Sequence, residues 1–283
     1  MDTIYSDPFP HIVIDNFLPK DQFIELRNSI NQTQYDYIGK PTFVQKKVGV
    51  AYKSIDDQLK NIVELLCSES ILRKIATLSG IDHKKLIGLG DIENFAGYSP
   101  YHITPSGGFL GSHVDHSQIK TEGKTFFHVA NSIFYISENW QENWGGETAL
   151  FSRSGLRIKK LVEPKPNRLI MFLHSATSFH GVVKYSECAN SPRETIYNDY
   201  YINDKDIPEY LISLKSKWKK EYILSSHCTT PIPIVRFGLK HFLRNFYKIK
   251  FLKELKIAKS MMYKHYGFYL FNKLLKRRSD WIR

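Results

Sequence analysis

Two histidines and one carboxylate are the residues of this sequence best suited to metal chemistry. His113 and Asp115 end the segment 105–115, and His180 follows 67 residues after His113. On a β-strand, residues two apart project from the same face, so His113 and Asp115 could hold two adjacent positions on one ion. With His180 they make the ligand set of non-haem Fe(II) oxygenases, which leaves positions open for oxygen chemistry. Taken alone, the His-x-Asp spacing is equally compatible with loop residues that make local hydrogen bonds, and His180 with a structural strand histidine.

An arginine beyond the last histidine adds a second function to this set. The segment Pro192–Ile196, which contains Arg193, begins a β-rich run 12 residues after His180. A guanidinium group binds a carboxylate through two parallel hydrogen bonds. Arg193 could therefore anchor a dicarboxylate cosubstrate whose other end chelates the metal.

Together, these motifs make the chain resemble the prolyl 4-hydroxylase-like branch of the Fe(II)/2-oxoglutarate-dependent dioxygenases. The similarity runs from Pro8 to about Ile202, in the same order and with the same spacing. The segments that carry it are Pro8–Leu18, Gly107–Asp115, Ile133–Ser137, Trp140, Gly145–Thr148, Asn167–Leu169, His180–Val182 and Arg193-x-Thr195.

The resemblance implies that His113, Asp115 and His180 are the catalytic iron ligands and that Arg193 binds the distal carboxylate of 2-oxoglutarate. It also implies O2 as the second cosubstrate, with ascorbate as a possible reductant. The expected reaction hydroxylates an unactivated C–H bond and releases succinate and CO2. Many peptide prolyl hydroxylases of this branch carry Lys where this chain has Arg193, which weakens the case for a peptidyl-proline substrate.

Further site residues follow from the same resemblance. Tyr135 occupies a strand position whose hydroxyl commonly helps to hold the 2-oxoglutarate carboxylate, and it is equally well interpreted as a core aromatic residue. Thr195 shares a strand face with Arg193 and is a second candidate for that contact. The Gly145-Gly146 pair predicts a turn whose backbone approaches the site closely.

The remaining histidines are expected to be structural or peripheral. His116 should point away from the metal, and His128 and His174 lie in β-rich runs. His102 or its neighbour Tyr101 could line the pocket, and strand alternation alone does not decide between them.

The spacing of apolar residues predicts the helices and strands that must position these site residues. A short strand precedes Pro19, helical spacing follows from Pro19 to Ile30, and a second helical pattern runs from about Asp57 to Leu78. From residue 86 to residue 202, short β-rich runs alternate with turn residues. The predicted fold class is α+β with a mainly β core, a double-stranded β-helix (jelly roll) flanked by N-terminal helices, within an oxygenase domain of residues 1–235.

Composition excludes several classes of protein. Of the 283 residues, 42% are hydrophobic, so the chain can bury a sizeable core and is not disordered as a whole. Three isolated cysteines exclude a disulfide framework and a thiolate zinc site. No run of apolar residues is long enough to span a membrane, and the N-terminal residues lack the features of a secretory signal. We therefore expect a cytoplasmic protein.

The net charge of +12 comes from the C-terminal segment. Residues 1–235 hold 26 Lys and Arg against 26 Asp and Glu, whereas residues 236–283 hold 14 against 2, and 14 − 2 = +12. Arg236, Lys240, Arg244 and Lys248 recur every four residues beside an apolar face, which predicts a basic amphipathic helical tail.

Three interpretations of this tail remain open. It could be a structural cap on the β core, or an interfacial segment that binds an anionic membrane surface, which would make the enzyme peripheral to the membrane. Binding to nucleic acid rests on charge alone, because no recognised motif is present.

The sequence favours an enzyme, whose substrate could be a small molecule, a saccharide or lipid-linked molecule, or a peptide. The alternative is a non-catalytic jelly-roll binding module that its basic tail directs to a membrane. The intact set of His113, Asp115, His180 and Arg193 favours catalysis, because a binding module would be free to lose any of them.

Overall fold

The computed structural model describes residues 3–38, 45–92, 98–116, 118–153, 155, 157–175, 177–207 and 229–232. The predicted tail at 236–283 and Cys228 lie outside these residues. The α-helices in the described part of the chain are α1 (Lys20–Gln32), α2 (Asp57–Cys67) and α3 (Glu69–Ser79). Its strands are β1 (Ile4–Tyr5), β2 (His11–Ile14), β3 (Tyr37–Ile38), β4 (Gln45–Lys46), β5 (Val48–Val50), β6 (Leu86–Gly88), β7 (Tyr101–Thr104), β8 (Phe109–Val114), β9 (Gln118–Thr121), β10 (Lys124–Tyr135), β11 (Thr148–Phe151), β12 (Ile158–Val162), β13 (Arg168–Leu173), β14 (His180–Val182), β15 (Arg193–Asn203) and β16 (Thr229–Ile232).

The strands form two antiparallel sheets, as in a jelly roll. The larger, ten-stranded sheet has the order β1-β2-β13-β10-β15-β7-β5-β3, with β6 paired to β15 and β9 paired to β10. The smaller, six-stranded sheet has the order β12-β11-β14-β8-β16, with β4 paired to β8. The predicted β core at 86–202 holds β6 to β15, and β1 to β5 and β16 extend both sheets beyond it.

The two faces of β15 explain how the larger sheet serves both the core and the site. Successive side chains of a strand point to opposite faces. Glu194, Asn198 and Tyr200 face the helices, where the Tyr200 hydroxyl donates to the Leu66 carbonyl at 2.8 Å. The alternate residues line the cavity between the sheets: Arg193, Thr195, Tyr197, Asp199 and Tyr201.

The helices differ in one respect from the sequence prediction. The single helical pattern expected from about 57 to 78 forms two helices, because Ser68 is extended (φ −62°, ψ 154°). The Ser68 carbonyl accepts hydrogen bonds from the amides of Ile71 and Leu72, both at 3.0 Å, and so starts α3. Asp56 caps α2 by accepting from the Leu59 amide at 2.8 Å. The apolar stripe predicted over this region is therefore carried by two successive helices.

Two apolar clusters hold the layers together. The larger joins the apolar faces of α1, α2 and α3 to the outer face of the ten-stranded sheet and includes fully buried Leu59, Leu66 and Ile75. A smaller cluster lies between the sheets and includes Tyr135 and Phe172. Burial of such side chains contributes about 1.5–3 kcal/mol each, and this fixes the separation of the sheets around the cavity.

None of the described helices has the length and apolar character that a membrane span requires. Of the cysteines in the described part of the chain, Cys67 is buried and Cys188 is exposed, and neither forms a disulfide.

Candidate metal and cosubstrate site

A cavity of about 390 Å³ lies between the two sheets and contains most of the residues singled out by the sequence. The smaller sheet contributes His113 from the end of β8 and His180 from the start of β14. The larger sheet contributes Arg193 and Thr195 from β15. Strand pairing aligns His180 directly with His113. Ligands 67 residues apart in the sequence thus become neighbours.

The predicted metal ligands converge on one point. Ligating atoms of His113, Asp115 and His180 all lie within 4.8 Å of one another. The His113 Nε2 atom is 3.1 Å from Asp115 Oδ1, and His180 Nε2 is 3.3 Å from Asp115 Oδ2. Asp115 follows the last residue of β8, so the strand ends where its carboxylate enters the site.

Backbone carbonyl groups orient both imidazoles. The Nδ1 atom of His113 lies 2.8 Å from the Gly111 carbonyl oxygen, and that of His180 lies 3.1 Å from the Ser178 carbonyl oxygen. A carbonyl oxygen can only accept, so Nδ1 of each ring is the donor and Nε2 is the atom that faces the site. Hydrogen bonds of this kind fix the tautomer of metal-binding histidines.

The three groups also set each other's charge. Burial opposes ionisation of Asp115, but the adjacent imidazoles of His180 and His113 hold the pKa of this carboxyl well below its ordinary value. Burial and the neighbouring His180 lower the pKa of His113. Burial lowers the pKa of His180, but the Asp115 carboxylate outweighs it and raises that pKa overall. Since a ligand imidazole must be neutral, a cation that binds here displaces any proton from His180.

A second layer of polar residues supports the aspartate. The Asn131 side-chain amide donates to Asp115 Oδ2 at 2.7 Å and to Asp199 Oδ1 at 3.0 Å. Burial and the negative charge of Asp115 raise the pKa of Asp199 well above its ordinary value. Asn131 thus holds two acidic side chains at a fixed separation on the floor of the cavity.

Arg193 is buried, with 3% exposure, and its hydrogen-bond acceptors are neutral groups. Its Nε donates to the Gly146 carbonyl at 2.7 Å, and one terminal nitrogen donates to Thr148 Oγ1 at 3.2 Å. The guanidinium carbon lies 5.2 Å from the centre of the Tyr135 ring, a cation–π contact. Burial lowers the pKa of Arg193, although the group stays charged at any physiological pH. A buried cation with neutral hydrogen-bond partners is suited to receive an anionic ligand.

The Gly145-Gly146 turn approaches the site closely, as the sequence predicted. Both glycines have positive φ, 72° and 80°. A Cβ atom on Gly146 would lie 2.8 Å from the Tyr185 ring and 3.2 Å from Cδ of Arg193. Glycine at this position therefore lets the backbone carbonyl reach the guanidinium group.

Of the other two candidates for the carboxylate contact, Thr195 lines the cavity and Tyr135 lies behind Thr148. Thr195 is buried and lines the cavity. The Tyr135 hydroxyl donates to Thr148 Oγ1 at 2.6 Å, so Tyr135 supports Thr148 and Arg193 from behind. Direct binding of a carboxylate by Tyr135 or Thr195 stays a prediction. Thr148, in the Gly-Gly-Glu-Thr motif, was given no role by the sequence, because only the fold brings its hydroxyl to Arg193.

The structure also answers the questions left open for the other histidines. His102 lines the cavity, whereas Tyr101 is buried and hydrogen-bonded to Glu194. His128 and His174 stack at a ring separation of 4.3 Å, with both rings buried. His116 is exposed.

The donor set fits Fe(II). Two imidazole nitrogens and one carboxylate on one side of a cavity match the facial triad of non-haem iron proteins, and the four thiolate or imidazole ligands of a closed zinc site are not assembled among the described residues.

Comparisons with known proteins agree with this geometry. Residues 96–198 match the family model described as the 2OG-Fe(II) oxygenase superfamily. A prolyl 4-hydroxylase structure from Phytophthora capsici is 15% identical with a TM-score of 0.50, and the match covers 96% of this chain and 88% of that chain. At that identity the likeness shows a shared fold.

Two other solved structures are more distant. A Pseudomonas putida prolyl-4-hydroxylase is 15% identical with a TM-score of 0.45 and coverage of 68% of this chain and 91% of that chain. HygX from Streptomyces hygroscopicus, with nickel and 2-oxoglutarate bound, is 10% identical with a TM-score of 0.45 and coverage of 69% and 83%. Among curated proteins, no sequence matches the chain significantly.

Proposed function

We propose that this chain, whose residues 96–198 match the 2OG-Fe(II) oxygenase family model, hydroxylates an unactivated C–H bond at the His113–Asp115–His180 site. In this proposal the chain is a 2-oxoglutarate-dependent dioxygenase of the prolyl 4-hydroxylase-like type, with Fe(II) as metal and 2-oxoglutarate as cosubstrate.

The observation that carries the proposal is the placement of two binding functions in one cavity. Three ligating atoms converge within 4.8 Å, and Arg193 lies in the wall of the same cavity. In this assignment His113, Asp115 and His180 bind Fe(II), and Arg193 binds the distal carboxylate of 2-oxoglutarate. The bound metal and cosubstrate supply the oxidising chemistry, with O2 consumed and succinate and CO2 released.

The chain's own residues position and protect these reactants. The Gly146 carbonyl and the Thr148 hydroxyl hold the guanidinium group of Arg193 in one orientation. The carbonyls of Gly111 and Ser178 hold both imidazoles, and Asn131 holds Asp115. The apolar side chains of Phe172, Leu110 and Ile133 line the cavity between these groups and exclude water from the reaction.

The size of the cavity limits the substrate. About 390 Å³ is near the lower end of the range for small-molecule sites, and the cosubstrate takes part of it. The target carbon therefore belongs to a small molecule, or to a single residue or sugar unit of a larger molecule. Saccharide, lipid-linked and peptidyl substrates meet this condition, and ascorbate as reductant stays a prediction.

The test is binding and turnover by the full-length protein. Under anaerobic conditions, Fe(II) and 2-oxoglutarate added together should give the charge-transfer absorption of a chelated cosubstrate, and neither should give it alone. In air, 2-oxoglutarate should be converted slowly to succinate even without a substrate. Replacing His113, Asp115 or His180 by Ala should remove both signals. A wild-type protein that folds but binds neither ligand would favour the non-catalytic binding module instead.

A further inference from the structure

A second cationic group lies in the wall of the cavity, apart from Arg193. The Lys47 side chain, at the junction of β4 and β5, lines the cavity together with His102 of β7. Both side chains are enclosed by the sheets but retain some accessible surface, and this surface lines the cavity. The assignments above give Lys47 no function, because Arg193 already pairs with the distal carboxylate of 2-oxoglutarate.

The ammonium group of Lys47 has a neutral partner. Its Nζ lies 3.3 Å from Nδ1 of His102, and no carboxylate of the described residues lies within 4.0 Å of it. Burial lowers the pKa of Lys47 to about 8, against the attraction of Asp115 and Asp199. The side chain is thus still largely protonated at pH 7. A cation that lacks an anionic partner in a confined site is poised to bind an anion.

His102 is built rigidly into this position. Its ring stacks on Tyr197 with the centroids 4.5 Å apart. Gly49, its partner in the β5–β7 register, packs so closely that an added Cβ would lie 3.0 Å from the imidazole. Burial and the charge of Lys47 hold the pKa of His102 well below its ordinary value, so the ring is neutral and its Nδ1 can accept a hydrogen bond from the Lys47 ammonium group.

The strand register places this pair beside the cosubstrate site. His102 is aligned with Thr195, and Thr195 is two residues from Arg193 on the same face of β15. Adjacent strands are about 4.8 Å apart, and residues two apart on one strand are separated by roughly 6.7 Å. A molecule held at Lys47 is therefore a neighbour of 2-oxoglutarate in the same cavity.

We propose that Lys47 and His102 form a subsite for an anionic group, a carboxylate or a phosphate, on the molecule that the enzyme hydroxylates. This inference rests on the function proposed above. It narrows the substrate to molecules that carry a negative charge close to the target C–H bond. Lys47 binds the anion, and His102 positions the ammonium group.

Small anions test the subsite without knowledge of the substrate. The full-length protein is loaded with redox-inert Zn(II) and saturating 2-oxoglutarate, so that Arg193 is occupied. Acetate, methylphosphonate and neutral acetamide are then titrated, and binding is followed by ligand-observed NMR. We expect an anion to bind and acetamide not to bind. The preference between acetate and methylphosphonate identifies the group as carboxylate or phosphate.

Variants assign the binding to Lys47. Lys47→Met should weaken anion binding at least tenfold, since a hydrogen-bonded charge is lost, and should leave the affinity for 2-oxoglutarate unchanged. Lys47→Arg should retain most of the anion binding. Lys120→Met, which removes an exposed lysine of β9, is the matched control and should change neither quantity.

The pH dependence of acetate binding to the wild type tests the role of Lys47 even if the Lys47→Met variant does not fold. Acetate stays ionised from about pH 6.5 to 9, so its binding to the wild type should weaken as the pH passes about 8, the pKa of Lys47. The other charged or titratable groups that act on Lys47 are Asp115, Asp199, Arg193 and neutral His102. Lys47→Arg, which stays charged over this range, should lose the pH dependence and so separates Lys47 from Asp199.

Three results would overturn the inference. They are equal anion binding by the wild type and Lys47→Met, absence of anion binding by the loaded wild type, and a loss of 2-oxoglutarate affinity in Lys47→Met as large as that caused by removing Arg193. The last result would assign Lys47 to the cosubstrate. A wild type that does not bind 2-oxoglutarate with Zn(II) would instead overturn the proposed function itself, and this inference with it.

Discussion

At the scale of single residues, the site separates charges that must not neutralise each other. Asp115 and the two imidazoles form one group, and Arg193 forms another, which hydrogen-bonds to the Gly146 carbonyl and the Thr148 hydroxyl and contacts the Tyr135 ring. A buried guanidinium that already had a carboxylate partner would have little left to offer a ligand. The neutral hydrogen-bond partners of Arg193 therefore leave its charge available for an anion.

Replacing Arg193 tests this assignment. Arg193→Ala should raise the dissociation constant for 2-oxoglutarate by roughly 30- to 5000-fold, since loss of one partner of a buried charged pair costs about 2–5 kcal/mol. Metal affinity, measured without cosubstrate, should change far less, because Arg193 is not a ligand. Arg73→Ala on the exposed face of α3 is the control. An unchanged affinity for 2-oxoglutarate would assign the anchor to another residue.

At the scale of elements, the strands and turns hold each site residue through backbone geometry. The Gly145–Gly146 turn places a carbonyl against Arg193, and the alternation of β15 points Arg193 into the cavity while Glu194 faces α1. Glu194 is 2.9 Å from a terminal nitrogen of Arg27. One strand thus anchors the helical layer with one residue and the site with the next.

Gly146→Ala should damage the cosubstrate site through the turn. The added Cβ would lie 2.8 Å from the Tyr185 ring, and φ of +80° strains an L-residue. Since Cδ of Arg193 is also within 3.2 Å, the guanidinium should shift, and the KM for 2-oxoglutarate should rise roughly ten- to hundredfold. Gly123→Ala is a matched control, with φ of +73° and no atom within 4 Å of the new Cβ. It should lower stability slightly and leave KM unchanged. Equal effects on KM would contradict the role of the turn.

Arg27→Met should lower stability far more than an equivalent change at the surface. It would leave Glu194 buried without its cation, at a cost of about 3–5 kcal/mol in the free energy of unfolding. Burial already raises the pKa of Glu194 despite Arg27. Arg73→Met breaks an exposed pair with Glu69 and should cost about 0–1 kcal/mol. Urea unfolding of both variants measures the difference. Similar losses would show that the Arg27–Glu194 pair does not stabilise the contact between α1 and β15.

At the scale of the whole molecule, the chain combines a body without net charge and a strongly basic C-terminal segment. Charges in residues 1–235 cancel, so the net +12 belongs to residues 236–283. The body includes β16, which pairs with β8 next to His113. A truncation that removes the basic segment must therefore retain residues 229–232, so that β16 stays paired with β8.

Truncation after residue 235 should separate catalysis from membrane binding. If the tail binds anionic lipid, four engaged Lys or Arg residues contribute roughly 4 kcal/mol. The full-length protein should then sediment with anionic vesicles at low salt. It should be released at about 1 M salt, where the Debye length falls to about 3 Å. The truncated protein should stay in solution and still convert 2-oxoglutarate. If the full-length protein does not bind vesicles at low salt and the truncated protein unfolds, the tail is a structural cap on the β core.

The sequence alone determined the chemistry of the metal site. Residue types limit which atoms can bind a metal, and the spacing of His113, Asp115, His180 and Arg193 matches a known order along the chain. Helical periodicity likewise predicted the apolar faces of α1, α2 and α3, because such patterns are local. It did not predict the break at Ser68, since the apolar stripe continues through both helices.

Only the tertiary structure decided which polar groups surround that site. Lys47 and His102 are 55 residues apart, and Thr148 and Arg193 are 45 apart. Thr148 and Arg193 meet because the smaller sheet packs on the larger one, and Lys47 and His102 meet through the register of β5 with β7. A shift of one residue in that register would turn each side chain to the other face of its sheet. Such registers are set by long-range packing of the two sheets and the helices, which no local pattern encodes. For that reason the metal ligands could be read from the sequence, whereas the pair at Lys47 and His102 required the fold.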